Sequence, residues 1–233
     1  MSDRPTGQLA FALAGDDKAS FDNFWGDGNP ELLLALKASA LQQESKVVYL
    51  YGPQGCGKSH LSFAAIRLAK QSNFTASYLS LSDAHISHEM LDVIDVSGLV
   101  CIDNAHSWAG DGIKERALFT LFEQIKHASG QLVVTALQAP AASSFIIPDL
   151  VSRLSSGLIY PIQTLDDEQR FLALKMRANH RGLVIGDDVL RFLLSRVSRD
   201  TAKIFALLDQ VDKASLVEKR KITIPFLQSL LNR

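Results

Sequence analysis

One short run of residues constrains this chain more than any other feature. Gly52-Pro53-Gln54-Gly55-Cys56-Gly57-Lys58-Ser59 fills the pattern G-x-x-x-x-G-K-S/T. It stands directly behind the apolar run 47–51, which reads as a buried strand, and directly ahead of a helical pattern over 58–71. Glycines at those positions let the backbone turn tightly and aim successive N–H groups inward. The result is a cradle for phosphate oxygens at a helix N-terminus. Lys58 can reach the β- and γ-phosphates, and the Ser59 hydroxyl can hold Mg²⁺. His60, the next helical residue, is grouped with them as a nucleotide-binding position. An ordinary glycine turn needs neither the lysine nor the hydroxyl. Composition alone would produce the full pattern only about 0.005 times in a chain like this one. The run is read as a nucleotide-binding loop with Mg²⁺, compatible with ADP or ATP, since a backbone cradle reads phosphates and not bases.

The pattern around the loop extends this to a fold. Further strand candidates fall at 76–81, 99–102, 132–136 and 157–162, with an amphipathic helix over 114–127. Another helical stretch, 30–41, carries Leu32, Leu33, Leu36 and Leu41 on one broad face. Strands alternating with helices predict a parallel α/β sheet with helices on both faces. Past Ile162 the strand patterns stop. Segments 166–179, 187–197, 201–217 and 224–231 read as helices, with Asp166, Asp187 and Thr223 as caps and Pro225 in a tolerated first-turn position. The expected division is a leader (1–19), a nucleotide-binding domain (20–163) and a small all-helical lid (164–233).

Composition closes off other classes. A chain of 233 residues that is 47% hydrophobic can bury a real core, which excludes disordered and disulfide-scaffold classes. With 24 basic and 25 acidic side chains the net charge is −1, so no bulk field draws it to DNA or an anionic membrane. Any nucleic-acid contact must then be local or made through a partner. The 2 cysteines, Cys56 and Cys101, lack metal spacing, and the pair His85 and His88 lacks a carboxylate–His motif. The apolar run 9–14 is too short for a signal-peptide core or a bilayer span. A soluble, cytoplasmic protein with no membrane partner is expected. Trp25 and Trp108 read as fillers of a core or an interface.

A second signature is the strand Leu99-Val100-Cys101-Ile102-Asp103. An Asp at the carboxyl end of a buried parallel strand faces the ligand crevice, where it can hold Mg²⁺ through water. Many ATPases follow this Asp with a second carboxylate that polarises the attacking water. Here that residue is Asn104, and an amide takes no proton at neutral pH. Weak intrinsic hydrolysis is the expectation.

Together with the run Pro148-Asp149-Leu150-Val151-Ser152-Arg153-Leu154, these motifs resemble the AAA+ superfamily, in its clade around the bacterial initiator DnaA. The resemblance covers nearly the whole chain, through Ile222-Thr223-Ile224-Pro225-Phe226. Ser20-Phe21-Asp22-Asn23-Phe24 is similar to the segment that borders the base in that clade, which implies nucleotide contacts for Phe21 and Phe24. Arg153 matches the arginine finger that acts across a subunit interface, worth about 10³–10⁵ in rate where it has been measured. Lys203 falls where the lid usually carries a nucleotide-sensing arginine, and lysine lacks the planar fork. In the sensor strand Thr135-Ala136-Leu137, Leu137 replaces a polar residue.

Three departures separate the chain from an initiator. It ends after the lid without a helix-turn-helix domain, 81–99 is short for the helix pair that grips single strands, and the leader carries Gln8-Leu9-Ala10-Phe11-Ala12-Leu13. That peptide looks like a sliding-clamp ligand, with Gln8 for a hydrogen bond and Leu9, Phe11 and Leu13 as apolar anchors. The implied function is negative regulation of DNA replication initiation. In this reading the nucleotide-bound protein docks on the DNA-loaded clamp (the polymerase β subunit), reaches DNA only through it, and stimulates ATP hydrolysis by DnaA. A homo-oligomer stays compatible with the sequence. The alternative is a self-contained AAA+ ATPase that remodels or loads a replication protein such as the helicase; turnover by the protein alone separates the two. A small-molecule P-loop kinase is disfavoured, because the lid lacks an arginine-rich closing segment.

Overall fold

The computed structural model describes residues 19–25, 29–43, 47–196, 201–218 and 220–231. Five strands, β1 (Val47–Tyr51), β2 (Ala76–Ser80), β3 (Leu99–Asp103), β4 (Gln131–Ala136) and β5 (Leu158–Pro161), form one sheet in the order β2-β3-β4-β1-β5. Every pairing is parallel. The central strands β3 and β4 are buried at every position, whereas the edge strands β2 and β5 are only partly covered. That is why their centres, 99–102 and 132–134, read as continuous apolar runs.

Side chains alternate between the two faces as the pleat requires. Val48 and Leu50 of β1 pack with Cys101 and Val133 beneath α1 (Pro30–Ala40) and α2 (Lys58–Gln71). Tyr49, Val100, Ile102 and Val134 face α3 (Gly112–His127) and α4 (Pro148–Ser155) on the other side. Local chemistry sets the starts of these helices. Asn29 accepts a hydrogen bond from the Leu32 amide at 3.1 Å ahead of Pro30, and Asp111 accepts from the Ile113 and Lys114 amides. The finger motif forms a helix of its own, α4, with Pro148 at its first position. Between β2 and β3 the chain makes only a short 3-10 segment, His88–Val93.

The lid comprises α5 (Asp167–His180), α6 (Asp187–Arg196), α7 (Thr201–Glu218) and α8 (Ile224–Leu231), around a separate core that includes Leu174, Leu190, Leu208, Val211 and Phe226. Asp166 caps α5 in a reciprocal box with Gln169, and Thr223 caps α8. The expected Asp187 cap is corrected. The Gly186 carbonyl accepts the Val189 and Leu190 amides, so Asp187 lies inside the first turn and its carboxylate pairs with Lys175 at 2.8 Å. An acid is equally favourable one step further in, because the first turn as a whole favours negative charge.

Candidate functional site

Because all strands are parallel, their carboxyl ends share one edge of the sheet. Gly52 leaves β1 there, Asp103 ends β3 there, and Leu137 follows β4 there. Between this edge and the lid lies a cleft of about 780 Å³, within the range of small-molecule sites. Its floor is the loop from Gln54 to His60, and its far wall is built by lid residues Arg177, Phe205, Ala206 and Asp209.

The loop's shape rests on two glycines. At Gly57 the backbone takes φ 102°, and a Cβ would come within 2.8 Å of the Phe24 ring. At Gly52 a Cβ would meet the Ile162 carbonyl oxygen at 2.0 Å. Helix α2 opens on Gly57 with no side-chain cap, leaving its first amides to whatever enters the loop. Lys58 is buried and folded back: its Nζ donates to the carbonyls of Gly52 at 2.7 Å and Pro53 at 2.8 Å. Those are the bonds an incoming phosphate would replace. Cys56 lies against the same ammonium at 3.6 Å, but burial outweighs it and pushes the thiol up, away from a reactive thiolate.

Ser59 Oγ donates to Asp103 Oδ2 at 2.7 Å. The Tyr78 hydroxyl donates to the same oxygen at 2.7 Å, and Thr135 donates to Oδ1. Burial, reinforced by the Asp103 charge, holds the Tyr78 hydroxyl far above its ordinary pKa, so it stays a donor. A hydroxyl and a carboxylate in contact are hard oxygen donors, the kind that Mg²⁺ combines with phosphate oxygens and water. That donor set fits the ion. Asn104 adopts the left-handed φ of 58°, and its side-chain amide donates to the hydroxyls of Ser80 and Ser82, each at 3.2 Å. Among the described residues no group of three His, Cys, Asp or Glu could hold a metal alone.

The other nominated residues divide. Phe24 lines the cleft, with its ring 5.8 Å from that of His60, whose Nε2 meets the Ser20 carbonyl at 3.0 Å. Phe21 packs beside α1 under Lys37 instead and is not part of the lining. Lys203 is exposed on α7 and also lies outside the lining. The lid cation in the cleft is Arg177 of α5, 3% exposed, with its guanidinium 4.5 Å from the Phe205 ring. Its signal was available: an arginine in phase with Phe171, Leu174 and Ala178 on the buried face of a helix. His106 was also missed. It lines the cleft, and burial followed by the Lys58 charge lowers its pKa.

Arg153 stands at the opposite edge of the sheet. It borders a smaller cavity of about 280 Å³ with Val47, Leu132 and Leu158, which begin or nearly begin β1, β4 and β5. Its Nε is 2.9 Å from Glu123 of α3. The 5 residues of β1 alone separate that edge from the loop, a rise of roughly 13 Å. The helix that carries Arg153 is anchored by Glu115, which is fully buried. Glu115 accepts from the amides of Gly110 at 2.7 Å, Ile146 at 2.9 Å and Ile147 at 2.9 Å, directly ahead of Pro148. The leader positions Gln8, Leu9, Phe11 and Leu13 lie outside the described residues.

Known proteins share this architecture. The chain matches domain III of the Thermotoga maritima replication initiation protein DnaA over 93% of its own length and 97% of that chain, at 19% identity and a TM-score of 0.73. It matches AMPPCP-bound DnaA from Aquifex aeolicus at 22% identity and TM-score 0.66, over 84% of this chain and 66% of that one. The Thermotoga maritima RuvB Holliday junction branch migration motor matches at 19% identity and TM-score 0.66, over 92% and 71%. The chain thus spans nearly all of an isolated DnaA domain and about two thirds of the longer DnaA chain. These likenesses define the class: a P-loop AAA+ fold, an α/β sheet followed by a helical lid. Within it, residues 167–231 match the family model of the Hda lid domain. The lid is thus similar to that of the Hda family, and the whole chain shares the fold of DnaA domain III. No helix among the described residues is long and apolar enough to cross a membrane.

Proposed function

We propose that this protein is a negative regulator of replication initiation that binds an adenine nucleotide in its own cleft and offers Arg153 to the nucleotide of a partner, DnaA. The single observation that carries the reading is the separation of the two groups. Arg153 lies at the amino edge of the sheet and the phosphate loop at the carboxyl edge, so the arginine cannot serve its own loop. A guanidinium in that position contributes to catalysis only in trans, by stabilising charge that develops on a neighbour's transferring phosphoryl group.

Within the cleft, Lys58 exchanges the Gly52 and Pro53 carbonyls for phosphate oxygens, and the open amides of α2 complete the cradle. Ser59 and, through water, Asp103 hold Mg²⁺, which neutralises phosphate charge when bound. Asn104 supports the regulatory reading over a self-contained ATPase, since an amide that donates to two serine hydroxyls offers no base to a water molecule. The preference for an adenine nucleotide draws on the Aquifex aeolicus DnaA, a structural neighbour bound to AMPPCP.

Docking on the sliding clamp rests on Gln8, Leu9, Phe11 and Leu13, and holding both proteins on one DNA would raise their effective concentration. Deleting residues 8–13 should abolish capture by clamp-loaded DNA while ADP affinity and the melting temperature stay unchanged. Undiminished capture would remove the clamp from the account.

A further inference from the structure

We propose that Tyr78 is a positioning residue for Mg²⁺: its hydroxyl holds the Asp103 carboxylate in place when Ser59 serves the ion. This rests on the nucleotide and Mg²⁺ reading above. Asp103 is the last residue of β3 and only 2% exposed, so its charge has to be met by donors inside the chain. Three hydroxyls on three different elements meet it. Ser59 of α2 donates to Oδ2 at 2.7 Å, Tyr78 of β2 donates to the same oxygen at 2.7 Å, and Thr135 of β4 donates to Oδ1. The Asn104 side-chain amide stands farther from Oδ2, at 3.4 Å. The strand register builds the tyrosine contact in. Tyr78 pairs with Cys101, which is two residues before Asp103 on the same face of β3, and a phenol is long enough to span that rise of about 6.6 Å.

The three donors are not equivalent. Ser59 lines the cleft and carries the hydroxyl that the ion would take, whereas Tyr78 lies outside the lining. The Tyr78 ring packs on Phe63, with centroids 4.3 Å apart, and it is Phe63 that lines the cleft. Tyr78 therefore acts on a ligand through Asp103 rather than by contact. A hydroxyl oxygen that binds a cation is drawn toward it and away from its former acceptor. Asp103 Oδ2 then depends more on Tyr78 in the loaded site than in the empty one. Outer groups of this kind orient the residues that serve a metal, and their removal weakens the metal more than the rest of the site. The effect of losing this hydroxyl should accordingly fall on Mg²⁺ and spare the contacts that the loop makes to phosphate.

The test is ADP affinity of the full chain by calorimetry, once in excess Mg²⁺ and once in EDTA. Tyr78→Phe keeps the ring on Phe63 and removes the hydroxyl. It should weaken ADP binding about tenfold in Mg²⁺, the scale of one hydrogen bond to a charged group, and leave it within about twofold of wild type in EDTA. In an Asp103→Asn background, which has no carboxylate to hold, the same substitution should change either affinity by no more than about twofold. An unchanged affinity in Mg²⁺ overturns the proposal, as does an equal loss in both solutions or a loss that persists beside Asp103→Asn. Tighter binding in Mg²⁺ also overturns it, because Tyr78 would then be competing with the ion for Oδ2. A second measurement needs no variant at position 78. In the wild-type chain labelled with fluorotyrosine, the 4 tyrosine signals are assigned with Tyr49→Phe, Tyr51→Phe and Tyr160→Phe. The Tyr78 fluorine signal should move when Mg²⁺ is added to the ADP complex, and if Tyr78→Phe does not fold, an unmoved signal overturns the proposal instead. A wild-type protein that binds ADP no better in Mg²⁺ than in EDTA would overturn the Mg²⁺ reading beneath it, and one that binds no ADP in either would overturn the nucleotide reading.

Discussion

The two edges of one parallel sheet carry different chemistry in this molecule. At the carboxyl edge, Gly52 follows β1, Asp103 ends β3 and Leu137 follows β4, and the phosphate loop there lines a cleft walled on its far side by the lid. At the amino edge there is a shallow apolar recess beside one arginine, and that arginine is tied to Glu123 on the same surface. Parallel strands make the difference inevitable. Glycine turns and helix N-termini collect at one end of a βα unit, so anion binding collects there too. The opposite end collects strand starts and helix C-termini instead. The lesson is that a P-loop does not assign this fold a turnover of its own. It assigns a ligand to one edge, and the second edge has to be read separately.

The sharpest way to break the comparison is at the binding edge. Lys58→Ala removes the ammonium that the loop holds on two carbonyls, and charge-assisted contacts of this kind contribute about 1.5–3 kcal/mol each. Calorimetry with Mg·ADP should show affinity at least about a hundredfold weaker. Wild-type affinity would mean the cleft binds its ligand elsewhere.

The acting edge can be damaged separately. Glu115→Ala strips the acceptor from three backbone amides, two of them directly ahead of α4, at a cost of about 3 kcal/mol. For a chain of this size that lowers the melting temperature by roughly 6–12 °C. Stimulation of DnaA should fall with it, while ADP affinity at a temperature below the transition stays near wild type. A parallel loss of both activities would show that the two edges are mechanically coupled.

A smaller effect sharpens the lid wall. Arg177→Met keeps an unbranched side chain of similar length and removes the buried guanidinium that lies over the Phe205 ring, so ADP should bind about tenfold more weakly. Lys203→Ala should stay within twofold of wild type. The reverse order would return the lid's nucleotide contact to α7.

How much of this was legible follows the same division. The phosphate loop is contiguous in sequence, and its function depends on local geometry that G-x-x-x-x-G-K-S enforces by itself. Asp103 was legible because it closes an unbroken apolar strand, and the α/β sheet because its central strands are covered on both faces. The lid was harder. A helix turns about 100° per residue, so nominating Lys203 for the cleft required knowing which way α7 faces. Ile204, Leu207 and Leu208 take the core side of that helix and leave Lys203 outside. Arg177 and Phe205 meet only because α5 and α7 pack together, a tertiary fact no local pattern encodes. Glu115 carries no motif at all. A buried glutamate is recognisable only once the amides it satisfies have been brought to it.

The central claim is that Arg153 works in trans, and one variant tests it most directly. The rate of ATP hydrolysis by DnaA is measured on clamp-loaded DNA with wild type, Arg153→Ala and Arg153→Lys, alongside Mg·ADP affinity for each. The account predicts unchanged ADP affinity in all three and a loss of stimulation of about 10³-fold for the alanine variant. Lysine should be nearly as poor, because a point charge does not reproduce the planar fork. Full stimulation by Arg153→Ala, or brisk ATP turnover by the wild-type protein alone despite Asn104, would contradict it.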